Sequence, residues 1–175
     1  MVQAFHRAPL VPVHWSVPVT VEQLLLVASL FWALTANKLF LHAALQDRTL
    51  AQASTWAFAA ALLVMLVSLH FLLLALVCNR YTVKPVLAVL IVGTAFATHA
   101  MQSFGVYLDP SMLRNVMRTD VAEARELFSW RLLPHLLLYA VLPLLMLWRV
   151  RLVQRPWLAA AAVRLGHSVA AVAVV

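Results

Sequence analysis

The sequence predicts an all-α, polytopic inner-membrane domain: four full transmembrane helices, a truncated fifth, and a periplasmic amphipathic helix between helices 3 and 4. Three observations predict it. Of 175 residues, 65% are hydrophobic and 11% charged, outside the range of soluble globular domains. The apolar residues are mainly Leu, Ala and Val with only three glycines, and they fall in runs long enough to cross a bilayer. Such runs favour helices over a membrane barrel, whose strands would alternate. Finally, the stretch Gly105 to Trp130 holds four of the six acidic residues and interrupts the apolar pattern.

Residues 1–18, with Pro9, Pro12 and Pro18, are expected to form an irregular cytoplasmic segment. They do not read as a signal peptide, because the apolar run begins too late and is too long. The first span is expected over about 19–41, roughly 34 Å of helix. Asn37 and Lys38 lie near its far end, where Lys38 is expected to snorkel to the interface. A second span, about 56–78, contains His70, read as a hydrogen-bonded packing residue, and ends at Cys78. That lone cysteine, expected to be a packing residue, excludes an internal disulfide and a multi-cysteine metal site. Asn79 to Lys84 is expected to be a tight basic turn, and Pro85 to open the third span, about 85–104. Its last polar residues, Thr98, His99, Gln102 and Ser103, either line a cavity at the central stretch or hydrogen-bond between helices. A fourth span, about 132–148, is expected to kink at Pro143. The segment 157–175 carries Arg164 and His167, so the chain is expected to stop inside an incomplete fifth span.

The central stretch reads as a helix over 109–130. Asp109 can cap it, and Pro110 sits at the first helical position, where a missing N–H costs nothing. At helical spacing Leu113, Val116, Met117, Ala124, Leu127 and Phe128 make one apolar face, as expected of a helix lying on a membrane surface. On the polar face Asn115, Thr119 and Glu123 recur at i, i+4 and i+8, a row of amide, hydroxyl and carboxylate about 6 Å apart. That row can hold a zwitterionic head group, with Glu123 facing an ammonium and Asn115 or Thr119 reaching phosphate oxygens. It is equally the pattern of a solvated face. Asp120-Val121-Ala122-Glu123 also matches a capping box, which would make Glu123 a helix cap.

This stretch resembles the corresponding segment of the lipid A phosphoethanolamine transferases, the family that includes the mobile colistin-resistance enzymes. The likeness rests on Tyr107, Asp109, Asn115-Val116, Thr119-Asp120 and Glu123-Ala124 at the family's spacing, and helix order and loop lengths agree over almost the whole chain. The resemblance implies a five-helix membrane domain ahead of a periplasmic, zinc-dependent domain of alkaline-phosphatase type. It implies that Asn115, Thr119 and Glu123 contact the phosphoethanolamine donor, taken from phosphatidylethanolamine, and that lipid A is the acceptor. The family's threonine nucleophile and zinc ligands belong to the soluble domain, and no position here matches them. The catalytic domain is therefore expected to be absent and this chain alone inactive, with no catalytic residue and no metal ligand of its own. A sister transferase with another acceptor, such as a core sugar, or with another donor head group, and a non-enzymatic lipid-binding protein remain the alternatives.

Charge sets the expected orientation. The formal net charge of +7 comes from basic residues flanking apolar spans, which argues for topology determinants beside anionic lipid and against a nucleic-acid surface. Arg7, Arg80, Lys84, Arg149, Arg151, Arg155 and Arg164 fall on one side with Glu22 as the sole acid. Lys38, Arg48, Arg114, Arg118, Arg125 and Arg131 on the other side are balanced by carboxylates. The N-terminus is thus expected in the cytoplasm and residues 105–131 in the periplasm.

Overall fold

The computed structural model describes residues 17–104, 114, 130, 132–153 and 157–174. Helices α1 (Val21–Thr35), α2 (Lys38–Leu45), α3 (Ala53–Val77) and α4 (Val83–Phe104) come first. The chain continues with α5 (Leu132–Leu136), a π-helical turn (Leu137–Val141), α6 (Leu142–Arg149) and α7 (Trp157–Val174). Two short strands, β1 (Val17–Val19) and β2 (Val150–Leu152), complete it. Among the described residues three helical stretches are long and apolar enough to cross a membrane: Ala53–Val77, Val83–Ser103 and Leu132–Arg149. A fourth is available if the bent pair α1–α2 counts as one span.

That bend corrects the unbroken first span expected over 19–41. Helix α1 starts with a full capping box: the Gln23 amide donates to Thr20 Oγ1, and the Thr20 amide to the Gln23 side chain. It ends because its last carbonyls are taken by side chains. Thr35 Oγ1 donates to the Phe31 carbonyl at 2.6 Å, and Asn37 Nδ2 to the Trp32 carbonyl at 2.9 Å. Local side-chain donors of this kind compete with the next helical amide. The chain therefore turns at Ala36–Asn37, and α2 departs at 58°.

The other spans begin and end close to their expected limits. Thr55 and Trp56 fasten the loop before α3 to the first turn of that helix, through the carbonyls of Thr49 and Leu50. His70 Nδ1 lies 2.7 Å from the Leu66 carbonyl one turn back, as a packing histidine should. The 79–82 turn is held by Asn79 Oδ1, which accepts from the amides of Tyr81 and Thr82. Helix α4 then buries Val83, Leu87, Ile91, Ala95 and Thr98, a stripe at three- and four-residue spacing. This stripe meets α1, α5, the π-helical turn and α6, while α3 packs between α1 and α7. Leu24, Leu25, Trp32, Phe71, Leu74 and Cys78 complete the core. Cys78 is thus a packing residue, as expected. Exposed Leu73, Leu76, Val89, Leu145 and Met146 on the outer faces are what a lipid environment requires.

Two further features depart from expectation. Residues 17 and 18 are not irregular: β1 pairs in parallel with β2, Val17 opposite Val150 and Val19 opposite Leu152. The β-branched residues favour this pairing, and Pro18, which lacks an amide donor, is tolerated because both strands are edges. Lys84 Nζ donates to the Val150 carbonyl and ties the 79–82 turn to the same strand. At Pro143 the helix accommodates the missing amide by widening just upstream. The Leu142 amide reaches Leu137 O, five residues back, so the expected kink takes the form of a π-helical turn. Segment 157–174 is a continuous helix, although it is not among the stretches that qualify as spans.

Candidate functional site

Asn115, Thr119 and Glu123, the residues singled out from the sequence, lie outside the described residues, as does the helix expected over 109–130 apart from Arg114 and Trp130. The described helices that this segment joins are α4, at Phe104, and α5, at Leu132. Along α4, α5 and the π-helical turn, beside the first residue of α2, polar side chains gather at the end of the bundle opposite the β-strands.

Helix α4 contributes Thr98 and His99. Thr98 is buried, and its hydroxyl donates to the Thr94 carbonyl at 2.7 Å. The oxygen thereby remains free to accept, and His135 Nε2 of α5 stands 3.1 Å away. The same Nε2 is 3.0 Å from the Ala95 carbonyl, which can only accept. The network therefore assigns a proton to Nε2. Of the two roles open to this group, Thr98 thus takes the interhelical hydrogen bond. His99 faces the same way: its ring centroid is 5.2 Å from that of His135, and its Nε2 is 3.4 Å from Ser103 Oγ.

Tyr139 sits one turn beyond His135, with ring centroids 4.6 Å apart. It belongs to the π-helical turn, so the widening that Pro143 imposes also sets the rotation of the tyrosine about the helix axis. Lys38, the first residue of α2, donates from Nζ to the Tyr139 hydroxyl at 2.8 Å and lies 5.0 Å from the ring centroid. Lys38 was expected simply to snorkel; the bend at Asn37 instead swings it onto another helix. Beneath the bend, Trp32 Nε1 donates to Thr94 Oγ1 at 2.9 Å and locks α1 to α4.

Lys38, Tyr139, His135, His99 and Ser103 thus form a continuous row over four helical elements. Its chemistry is mainly that of hydrogen-bond donors, with one fixed cation. Sequence reading passed over His135 and Tyr139, although their i, i+4 spacing after Pro134 places both on one helix face. A polar hollow of about 510 Å³ lies beside α2, lined by Ala44, Asp47, Arg48, Thr49, Gln52 and Thr55. It carries charges of both signs on a loop and lacks the convergence seen around Tyr139. Among the described residues no three His, Cys, Asp or Glu side chains are placed to hold a metal ion, so these residues do not fit a zinc site and no metal-dependent step is assigned to them.

A family model described as phosphoethanolamine transferase EptA/EptB matches residues 66–175. The chain belongs to this family. The match begins within α3, at residue 66, and includes α4 to α7 and the positions of Asn115, Thr119 and Glu123. Among curated phosphoethanolamine transferase relatives, the phosphatidylethanolamine transferase Mcr-1 of Escherichia coli is 30% identical over 159 residues, covering 89% of this chain and 29% of the relative. Mcr-2 of the same species is 29% identical over 117 residues, covering 67% and 21%. The chain therefore spans less than a third of the length of these relatives. The fold is also that of an integral membrane protein of known structure, the lipooligosaccharide phosphoethanolamine transferase A (EptA) from Neisseria meningitidis. The TM-score is 0.78 at 21% sequence identity, with 90% of this chain and 30% of that one covered. This chain accordingly has the membrane-domain fold of a phosphoethanolamine transferase.

Proposed function

We propose that the chain is the membrane-anchoring and donor-binding part of an enzyme that moves phosphoethanolamine from phosphatidylethanolamine to lipid A in the bacterial inner membrane. The observation that carries this reading is the family match over residues 66–175, which runs through the Asn115, Thr119 and Glu123 row. In this reading Glu123 faces the ammonium of the donor, and Asn115 and Thr119 reach its phosphate. The N-terminus and the β1–β2 pair lie in the cytoplasm, and residues 105–131 lie in the periplasm, as the basic-residue asymmetry favours. In this reading the nucleophile and zinc come from a periplasmic domain outside residues 1–175.

The test uses these residues joined to such a domain, from the native gene or a relative, and compares variants at matched membrane levels. Glu123→Gln removes charge and keeps shape. A charge-assisted contact contributes about 1.5–3 kcal/mol, so transfer should fall about tenfold to a hundredfold. Asn115→Ala and Thr119→Ala should also impair transfer, whereas Glu126→Gln, on the same face of the expected helix but outside the row, should not. If Glu123 is a helix cap, Glu123→Gln is nearly silent and Asp120→Ala destabilises the helix by about 1 kcal/mol. Equal, near-normal transfer by Glu123→Gln and Glu126→Gln would end the donor-site assignment.

A further inference from the structure

The row Asn115, Thr119 and Glu123 supplies a carboxylate for an ammonium but no cation for a phosphate. A phosphodiester that leaves bulk water needs charge-assisted donors to replace its hydration. The cluster at Tyr139 has that complement. Lys38 is exposed at the lip of the bundle, and its ammonium has three donors, of which Tyr139 takes one. The Tyr139 oxygen accepts from Lys38 and therefore keeps its own proton to donate. Packing the ammonium against the ring, 5.0 Å from its centroid, positions the charge without neutralising it. Among the described residues no carboxylate pairs with Lys38. His99 extends the row toward Ser103, at the end of α4 where the 105–130 segment begins.

We propose that Lys38 and Tyr139 bind the phosphate oxygens of a membrane phospholipid, with His99 bordering them, forming the anion-binding half of a head-group site. The pairing of this half with Glu123 rests on the donor reading given above; the phosphate contact itself does not. Lys38 supplies the fixed charge, Tyr139 holds it in place and adds a hydroxyl donor, and His99 borders the far side. The π-helical turn and the Asn37 bend have a shared consequence here, since each presents one member of the Lys38–Tyr139 pair.

The experiment is native mass spectrometry of the detergent-purified chain titrated with phosphatidylethanolamine or with phosphatidylglycerol, which has the phosphate but no ammonium. Lys38→Met should weaken both lipids alike, by about tenfold, the loss of one charge-assisted contact. Lys38→Arg keeps the charge and should stay within about threefold of the parent. Tyr139→Phe, which preserves the ring and the packing, should cost both lipids about threefold. Glu123→Gln should weaken phosphatidylethanolamine alone. If Glu123→Gln is silent while Lys38→Met acts on both lipids, the donor reading of Glu123 fails and the phosphate site stands. Parental binding of both lipids by Lys38→Met would overturn the proposal. So would displacement of either lipid by an equal concentration of inorganic phosphate, which would mark a bare anion site.

Discussion

Trp32 offers the sharpest test of how the candidate site is built. Its indole is buried at 4% exposure, and Nε1 donates to Thr94 Oγ1 at 2.9 Å, joining α1 to α4. The Thr94 hydroxyl in turn donates to the Leu90 carbonyl at 2.7 Å, which fixes its oxygen as the acceptor. The carbonyl of Trp32 receives both the Ala36 amide and Asn37 Nδ2, so the bend that presents Lys38 stands on this residue. Trp32→Phe deletes the donor and part of the ring, and the lost apolar contact should cost about 1–2 kcal/mol. Thr94→Val is close to isosteric but leaves the indole N–H without its partner. Interhelical hydrogen bonds within a membrane average about 0.6 kcal/mol and reach about 1.7. The double-mutant cycle should therefore return a coupling of about 0.6–1.7 kcal/mol between Trp32 and Thr94. Reversible unfolding of the purified chain in mixed micelles, for the parent, both single variants and the double variant, gives all four corners. Strictly additive single effects would refute the view that the hydrogen bond, and not merely the bulk of the ring, holds α1 to α4.

Two predictions concern the chain as a whole. A reporter fused after Trp130 should be periplasmic and one fused after Trp148 cytoplasmic; a periplasmic reporter at Trp148 would overturn the assigned orientation. Cells expressing only residues 1–175 should show no phosphoethanolamine on lipid A by mass spectrometry, and any adduct that depends on this chain would place chemistry within it.

What the sequence determined by itself was set by composition and local chemistry. The apolar runs over Ala53–Val77, Val83–Phe104 and Leu132–Arg149 are helices in the structure within three residues of their expected limits. Hydrocarbon leaves the backbone no other way to satisfy its amides within a single segment, so hydropathy and length suffice. The Asn79 turn and the roles of Cys78 and His70 were legible for the same reason, because each rests on neighbours close in the chain or on burial alone. The family was legible in the motif from Tyr107 to Ala124, where residue types at fixed spacing carry the signal.

Tertiary structure decided what depends on distant partners. Asn37 lies within an apolar run that reads as one helix, and only its bond to the Trp32 carbonyl shows where that helix breaks. Strand β1 is three residues long and has no meaning without β2, which follows only after α1 to α6. Lys38 and Tyr139, or Thr98 and His135, are isolated polar residues until α2, α4, α5 and the π-helical turn bring them together. Each pair is far apart in sequence, so no local periodicity can encode it. The contact exists because a Pro143-widened turn and an Asn37 bend rotate two side chains into one space, and that rotation is a property of the packed helices.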